Sequence, residues 1–131
     1  METISVKTPK REVLVDITGE VSRVVAASGI DSGMCVVFVP HTTAGVTINE
    51  NADPAVKTDI TGFLAELIPQ SAGFAHMEGN SDAHVKASLM GFSQTVFIEN
   101  GSLVLGTWQG ICFAEFDGPR NRKVHIRCVE G

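Results

Sequence analysis

The stretch H-M-E-G-N-S-D-A-H, residues 76 to 84, places His76, Glu78, Asp82 and His84 within nine residues, and a third histidine, His41, stands in P-H-T-T-A. Neutral imidazoles and carboxylates suit zinc, manganese or a similar divalent ion, and a catalytic ion needs only three protein ligands with one position left open. The pattern H-x-E-x-x-x-D-x-H matches no standard ligand spacing. If a helix begins near Ser81, His84 falls in its first turn, where the helix dipole favours a neutral imidazole able to bind metal or act as a base. The alternative is structural: Asn80, Ser81 or Asp82 simply caps that helix. His41 carries the same ambiguity, as a ligand at a strand end or as a loop histidine bonded to a nearby carbonyl.

Other residues extend the chemistry. Beyond the histidine at 41, N-E-N-A-D-P supplies Glu50 and Asp53, the latter more readily a helix cap than a ligand. Arg120 and Arg122 in G-P-R-N-R have the fork geometry to clamp phosphate, although charges at a hairpin tip are commonly solvated or ion-paired. Trp108, the only tryptophan, lies in G-T-W-Q-G and suits either stacking on a planar ligand or anchoring a core or subunit interface. Lys86 is expected to face solvent rather than an anionic ligand. Cys35, Cys112 and Cys128 sit in apolar runs with no C-x-x-C pair, as buried reduced thiols do. No G-x-S-x-G is present, and no cysteine has a local histidine partner, which argues against covalent acyl chemistry.

The elements that must position these residues can be read from periodicity. Alternation in T-I-S-V-K and E-V-L-V-D-I suggests two strands, with Val13, Val15 and Ile17 on one face. A helix from Thr18 as N-cap to Gly29 follows. The run M-C-V-V-F-V-P is apolar throughout, as in a strand buried on both faces, and V-T-I-N-E alternates as a second strand. Asp53-Pro54 opens the clearest helix, with Val56, Ile60, Phe63, Leu64 and Leu67 on one face and Pro69 ending it. A short helix to Gly91 comes next, and the last forty or so residues read as strands around N-G and D-G-P-R-N-R turns. The order ββ-α-ββ-α-α-ββββ predicts a single α+β domain over residues 1–131, a largely antiparallel sheet with helices packed on one side.

Composition narrows the function. A formal charge of −5 argues against nucleic-acid binding driven by phosphate attraction. No segment approaches the roughly 18 apolar residues of a spanning helix, and the N-terminus lacks a signal-like run, so a cytoplasmic protein without a membrane partner is expected.

Four motifs in order, H-T-T-A-G-V-T-I-N-E-N-A-D-P, H-x-E-G-N-S-D-A-H-V-K-A-S-L-M-G, G-T-W-Q-G and E-F-D-G-P-R-x-R, resemble those of the YjbQ-like family of mostly uncharacterised small proteins. The resemblance implies an α+β homotrimer with sites near subunit boundaries. It also implies a weak, secondary thiamine phosphate synthase activity, which joins hydroxymethylpyrimidine diphosphate to a thiazole phosphate. His41, His76 and His84 match the family's site histidines; Glu78, Asn80, Asp53, Arg120 and Arg122 match neighbouring polar positions. The combined expectation has His41, His76 and His84 holding a divalent ion, zinc first with magnesium or manganese as alternatives. His84, Glu78 and Asp53 are the catalytic candidates. Arg120, Arg122, Asn80 and Trp108 would bind a small phosphorylated metabolite. The rival expectation is a binding protein that uses the same pocket without turnover.

Overall fold

Strand alternation and helix signals resolve into eleven elements in a computed structural model that describes residues 1–131. They are β1 (Glu2–Lys7), β2 (Val13–Asp16), α1 (Thr18–Ser28), β3 (Gly33–Phe38), β4 (Ala44–Glu50), α2 (Pro54–Leu67), α3 (Ser81–Met90), β5 (Ser93–Glu99), β6 (Ser102–Leu103), β7 (Gln109–Glu115) and β8 (Asn121–Glu130). The α+β class and the element order are as the sequence predicts. The antiparallel strands divide between two sheets, β1-β8-β3-β5-β6 and β2-β7-β4. The larger core lies between the sheets: Cys35, Val37 and Ile126 from one meet Val46, Ile111 and Phe113 from the other, with Val21 and Val25 of α1. On the far face of the smaller sheet, Leu14, Cys112, Ala114 and Phe116 pack on Ala83 and Ala87 of α3, with Ile60 and Leu64 of α2 beside them. No helix is long and apolar enough to cross a membrane.

Several local expectations need correction. Thr18 does not cap α1; its Oγ1 accepts the Ile111 amide at 2.9 Å, and Asp16 Oδ1 accepts the Thr18 amide instead. Gly29 ends that helix in the left-handed conformation as expected, φ 70°. The apolar run from residue 34 is buried on one face only. Cys35, Val37 and Val39 point inward, while Met34 and Phe38 stay 42% and 45% exposed because no helix of this chain covers the outer face of the larger sheet. On α2 the apolar face is only half used, and Phe63 and Leu67 remain exposed. Lys86 is not solvated: it is 1% exposed, held by Asp82 one helical turn earlier and by Glu12 from the β1–β2 connection.

α3 is set onto β4 by a close approach. A Cβ at Gly45 would lie 2.4 Å from the Gly91 carbonyl, and that carbonyl accepts the Val46 amide at 3.0 Å. Any other residue at 45 would push away the helix that carries His84.

Candidate functional site: a cleft between the sheets and helix α3

Three segments meet at one end of the sheets: the β3–β4 connection with His41 to Thr43, the start of α3 with Asn80 and His84, and the β7–β8 turn with Asp117 and Arg120. Between them lies a cleft of about 630 Å³, also lined by Glu78, Phe38 and Arg122.

Its foundation is a buried carboxylate. Glu115 Oε1 accepts from Thr8 Oγ1 and Arg122 Nε, each at 2.8 Å, and Oε2 accepts from Arg122 Nη2 and from the amides of Phe116 and Asp117. Burial pushes the Glu115 pKa up, but the bonds from Arg122, Thr8 and the Asp117 amide outweigh it and hold the group below its ordinary value. Arg122 Nη2 also donates to Thr43 Oγ1 at 2.8 Å. That leaves Nη1 of Arg122, a residue that lines the cleft, without a partner in the chain.

The second arginine is paired too. Arg120 donates through Nε to the Asp117 carbonyl at 2.7 Å and through Nη2 to Asp117 Oδ2 at 3.0 Å. The same oxygen accepts Asn80 Nδ2 at 2.9 Å, which fixes the orientation of the Asn80 amide, since a carboxylate only accepts. Asn80 Oδ1 is then the one buried side-chain polar atom without a partner. Asn80 therefore does not cap α3 with its side chain, and no other side chain does.

The histidines separate. His41 Nε2 accepts the Lys123 backbone N–H at 2.9 Å, and burial together with the Arg122 charge lowers its pKa below the ordinary value. His76 is not among the residues that line the cleft; its ring is edge-on to His84 with centroids 5.6 Å apart and its Nε2 is 3.6 Å from Glu78 Oε2. No three His, Cys, Asp or Glu side chains are arranged to hold a metal ion. The expected set of His41, His76 and His84 does not fit: His41 has its lone pair engaged by the Lys123 amide, and His76 pairs only with His84 and an exposed Glu78.

Two further expectations separate from the cleft. β4 and β7 run antiparallel, with Ala44 opposite Glu115 and Glu50 opposite Gln109. Residues just beyond Glu50 and just before Gln109 must therefore lie at the other end of the sheet, about 20 Å away at the usual rise of a strand. There Trp108 accepts the Asn51 amide through its carbonyl while its indole is 64% exposed, and Asp53 caps α2 by accepting the Ala55 amide at 2.9 Å. Within one chain neither Asp53 nor Trp108 lines the cleft. Sequence reasoning left Thr8, Thr43, Glu115 and Asp117 without roles. Only the adjacency of Glu115 and Asp117 to G-P-R-N-R gave any signal for them.

A family model described as UPF0047 protein YjbQ-like matches residues 2–131. UPF0047 protein MJ1081 of Methanocaldococcus jannaschii is 57% identical over 124 residues, covering 95% of this chain and 90% of that protein. UPF0047 protein YugU of Bacillus subtilis is 52% identical over 130 residues, covering 98% of each. Among solved structures, an uncharacterized conserved protein of the yjbq/upf0047 family from Clostridium acetobutylicum superimposes with a TM-score of 0.97 at 55% identity, over 98% of this chain and 100% of that one. A YbjQ-like protein of unknown function from Sulfolobus solfataricus gives 0.95 at 34% identity, over 99% and 96%.

Proposed function

For a chain that belongs to the UPF0047 YjbQ-like family, we propose that the cleft binds a small phosphorylated metabolite. The observation that carries this reading is that Arg120, Arg122 and His41 line one cavity, beside the uncapped start of α3. Backbone N–H groups at a helix start and arginine forks suit phosphoryl oxygens. Condensation of hydroxymethylpyrimidine diphosphate with a thiazole phosphate fits that ligand class, since both reactants carry phosphate. Negative charge develops on the departing pyrophosphate, and donors fixed in advance stabilise it. His84 and Glu78 would contact the organic part of the ligand.

A non-catalytic metabolite-binding protein is the second reading, favoured by the ion pairing of both arginines. The cleft then offers oriented hydrogen bonds but little net positive charge. Incubation of the purified protein with the two precursors separates the readings. Thiamine phosphate formation that drops at least tenfold in Arg120→Ala supports an enzyme. Saturable binding of either precursor without product leaves the binder, and the absence of both rejects the cleft as a phosphate site.

We also propose a homotrimer. Phe97, Met34 and Val129 lie directly opposite one another across β5, β3 and β8 and are 65%, 42% and 43% exposed. A contiguous apolar row on an uncovered sheet marks an association surface. Light scattering should give three times the 13.9 kDa chain mass, and Phe97→Glu should shift it to lower mass; a monomeric wild type contradicts the assembly. The three free thiols fit the cytoplasm as the compartment.

A further inference from the structure

We infer that His41 serves this cleft as a hydrogen-bond donor of fixed tautomer to a phosphoryl oxygen, and that the cleft holds its phosphoryl group without a divalent ion. The inference rests on the proposed phosphate reading and assigns the chemistry by which that ligand is held.

The backbone sets the tautomer. An amide N–H can only donate, so the 2.9 Å contact between the Lys123 amide and His41 Nε2 requires a lone pair on Nε2. A neutral imidazole has one lone pair and one hydrogen, which places the hydrogen on Nδ1. The reason for the contact lies in the sheet. β3 ends at Phe38, paired with His125 of β8, so β8 continues past it toward Lys123 without a partner strand on that side. The imidazole of His41 supplies the acceptor that the missing strand would have given. Reversing the tautomer would set ring N–H against amide N–H and strand a backbone donor at the sheet end, a costly change.

Metal binding needs a free imidazole lone pair, and His41 has none to give. What it offers is Nδ1–H, which has no partner in the chain. The neighbouring Arg122 contributes Nη1 under the same constraint, its other edge being tied to Glu115 and Thr43. Burial and the adjacent Arg122 charge both favour the neutral form of His41. Two donors fixed from behind by protein acceptors and donors, with Arg120 at the rim, suit the several acceptor oxygens of a phosphate ester or diphosphate.

The test uses the wild-type protein labelled with ¹⁵N, without and then with sodium pyrophosphate, in excess EDTA and again with added zinc. Long-range ¹H–¹⁵N spectra, assigned with His41→Gln, should show His41 with a protonated Nδ1 and an unprotonated Nε2 throughout the neutral pH range. Pyrophosphate should shift Nδ1, with the same affinity in EDTA and in zinc. His41→Ala should weaken pyrophosphate binding roughly tenfold or more, as expected for one lost hydrogen bond to a charged group. His41→Gln, which can accept the Lys123 amide and still donate, should recover part of that loss. An Nε2–H tautomer in the ligand-free protein, or binding that appears only with zinc, overturns the inference while leaving a phosphate site in place. The expected tautomer with no pyrophosphate binding in either condition overturns the phosphate reading itself.

Discussion

Replacing Glu115 by alanine is expected to lower the unfolding free energy by about 3–5 kcal/mol, measured by urea denaturation at neutral pH. The carboxylate is 0% exposed and accepts from Thr8, Arg122 and the amides of Phe116 and Asp117. Its removal leaves the Arg122 guanidinium, 5% exposed, without a counter-charge, together with donors that have no acceptor. The cost is therefore that of a stranded buried charge and exceeds the net worth of the pair. Replacing both partners by apolar residues of similar size should recover much of the loss, and a double-mutant cycle measures how much.

The same group gives the stability a defined pH dependence. The folded pKa of Glu115 lies below its unfolded value, so the native state binds fewer protons than the unfolded chain as the medium becomes acid. Its contribution is complete above the ordinary glutamate value of 4.5 and is lost as pH falls through the lower folded value. Asp82 and Asp16 are also held below their ordinary values. For Asp82, burial opposes the shift and the Arg11 and Lys86 bonds outweigh it; for Asp16, burial is outweighed by the Thr18 and Asn51 bonds. Stability should be flat near neutrality and fall on acidification, with a shallower fall in Glu115→Gln. An unchanged acid slope in that variant would show that Glu115 is not the group responsible.

Asp82→Ala is the second large effect, about 3 kcal/mol or more from the loss of one member of a buried ion cluster. Asp82 receives both Arg11 nitrogens, at 3.0 and 3.1 Å, and Lys86 Nζ at 2.8 Å, while Lys86 also reaches Glu12. The cluster ties α3 to the β1–β2 connection. Asp82 lies between Asn80 and His84 in the chain, so loosening it should move both. The expectation is a drop in stability accompanied by weaker pyrophosphate binding. Lys86→Met combined with Asp82→Leu should be less destabilised than Asp82→Ala alone. Equal losses in the two variants would show that the charges act independently.

These two clusters also show where reading the sequence stops. Local signals were sufficient for the elements: Asp53-Pro54 does open α2, and Asn100-Gly101, both at positive φ, does make the turn between β5 and β6. The division into two sheets was not legible, because alternation shows which residues share a face and not which face another sheet covers. Lys86 reads as a solvated helix residue because its second partner, Glu12, is 74 positions away. His41 reads as a ligand because the amide that occupies its lone pair belongs to a residue 82 positions later. Asp53 and Trp108 look like neighbours of His41 and Arg120 in the motifs. The antiparallel register of β4 and β7 carries them to the opposite end, a consequence that pairing H-T-T-A-G with E-F-D-G-P would have exposed. The clustering of His41, Asn80, His84, Arg120 and Arg122 was anticipated, and it survives in the cleft.

Calorimetric titration of pyrophosphate into the wild-type protein and into Arg120→Ala tests the phosphate-binding cleft most directly. Arg120 is half exposed at the rim, so its loss should leave the fold intact. The expected result is one saturable site per chain in the wild type, with affinity at least tenfold weaker in the variant. No saturable heat in the wild type, or equal affinity in both proteins, would contradict the assignment.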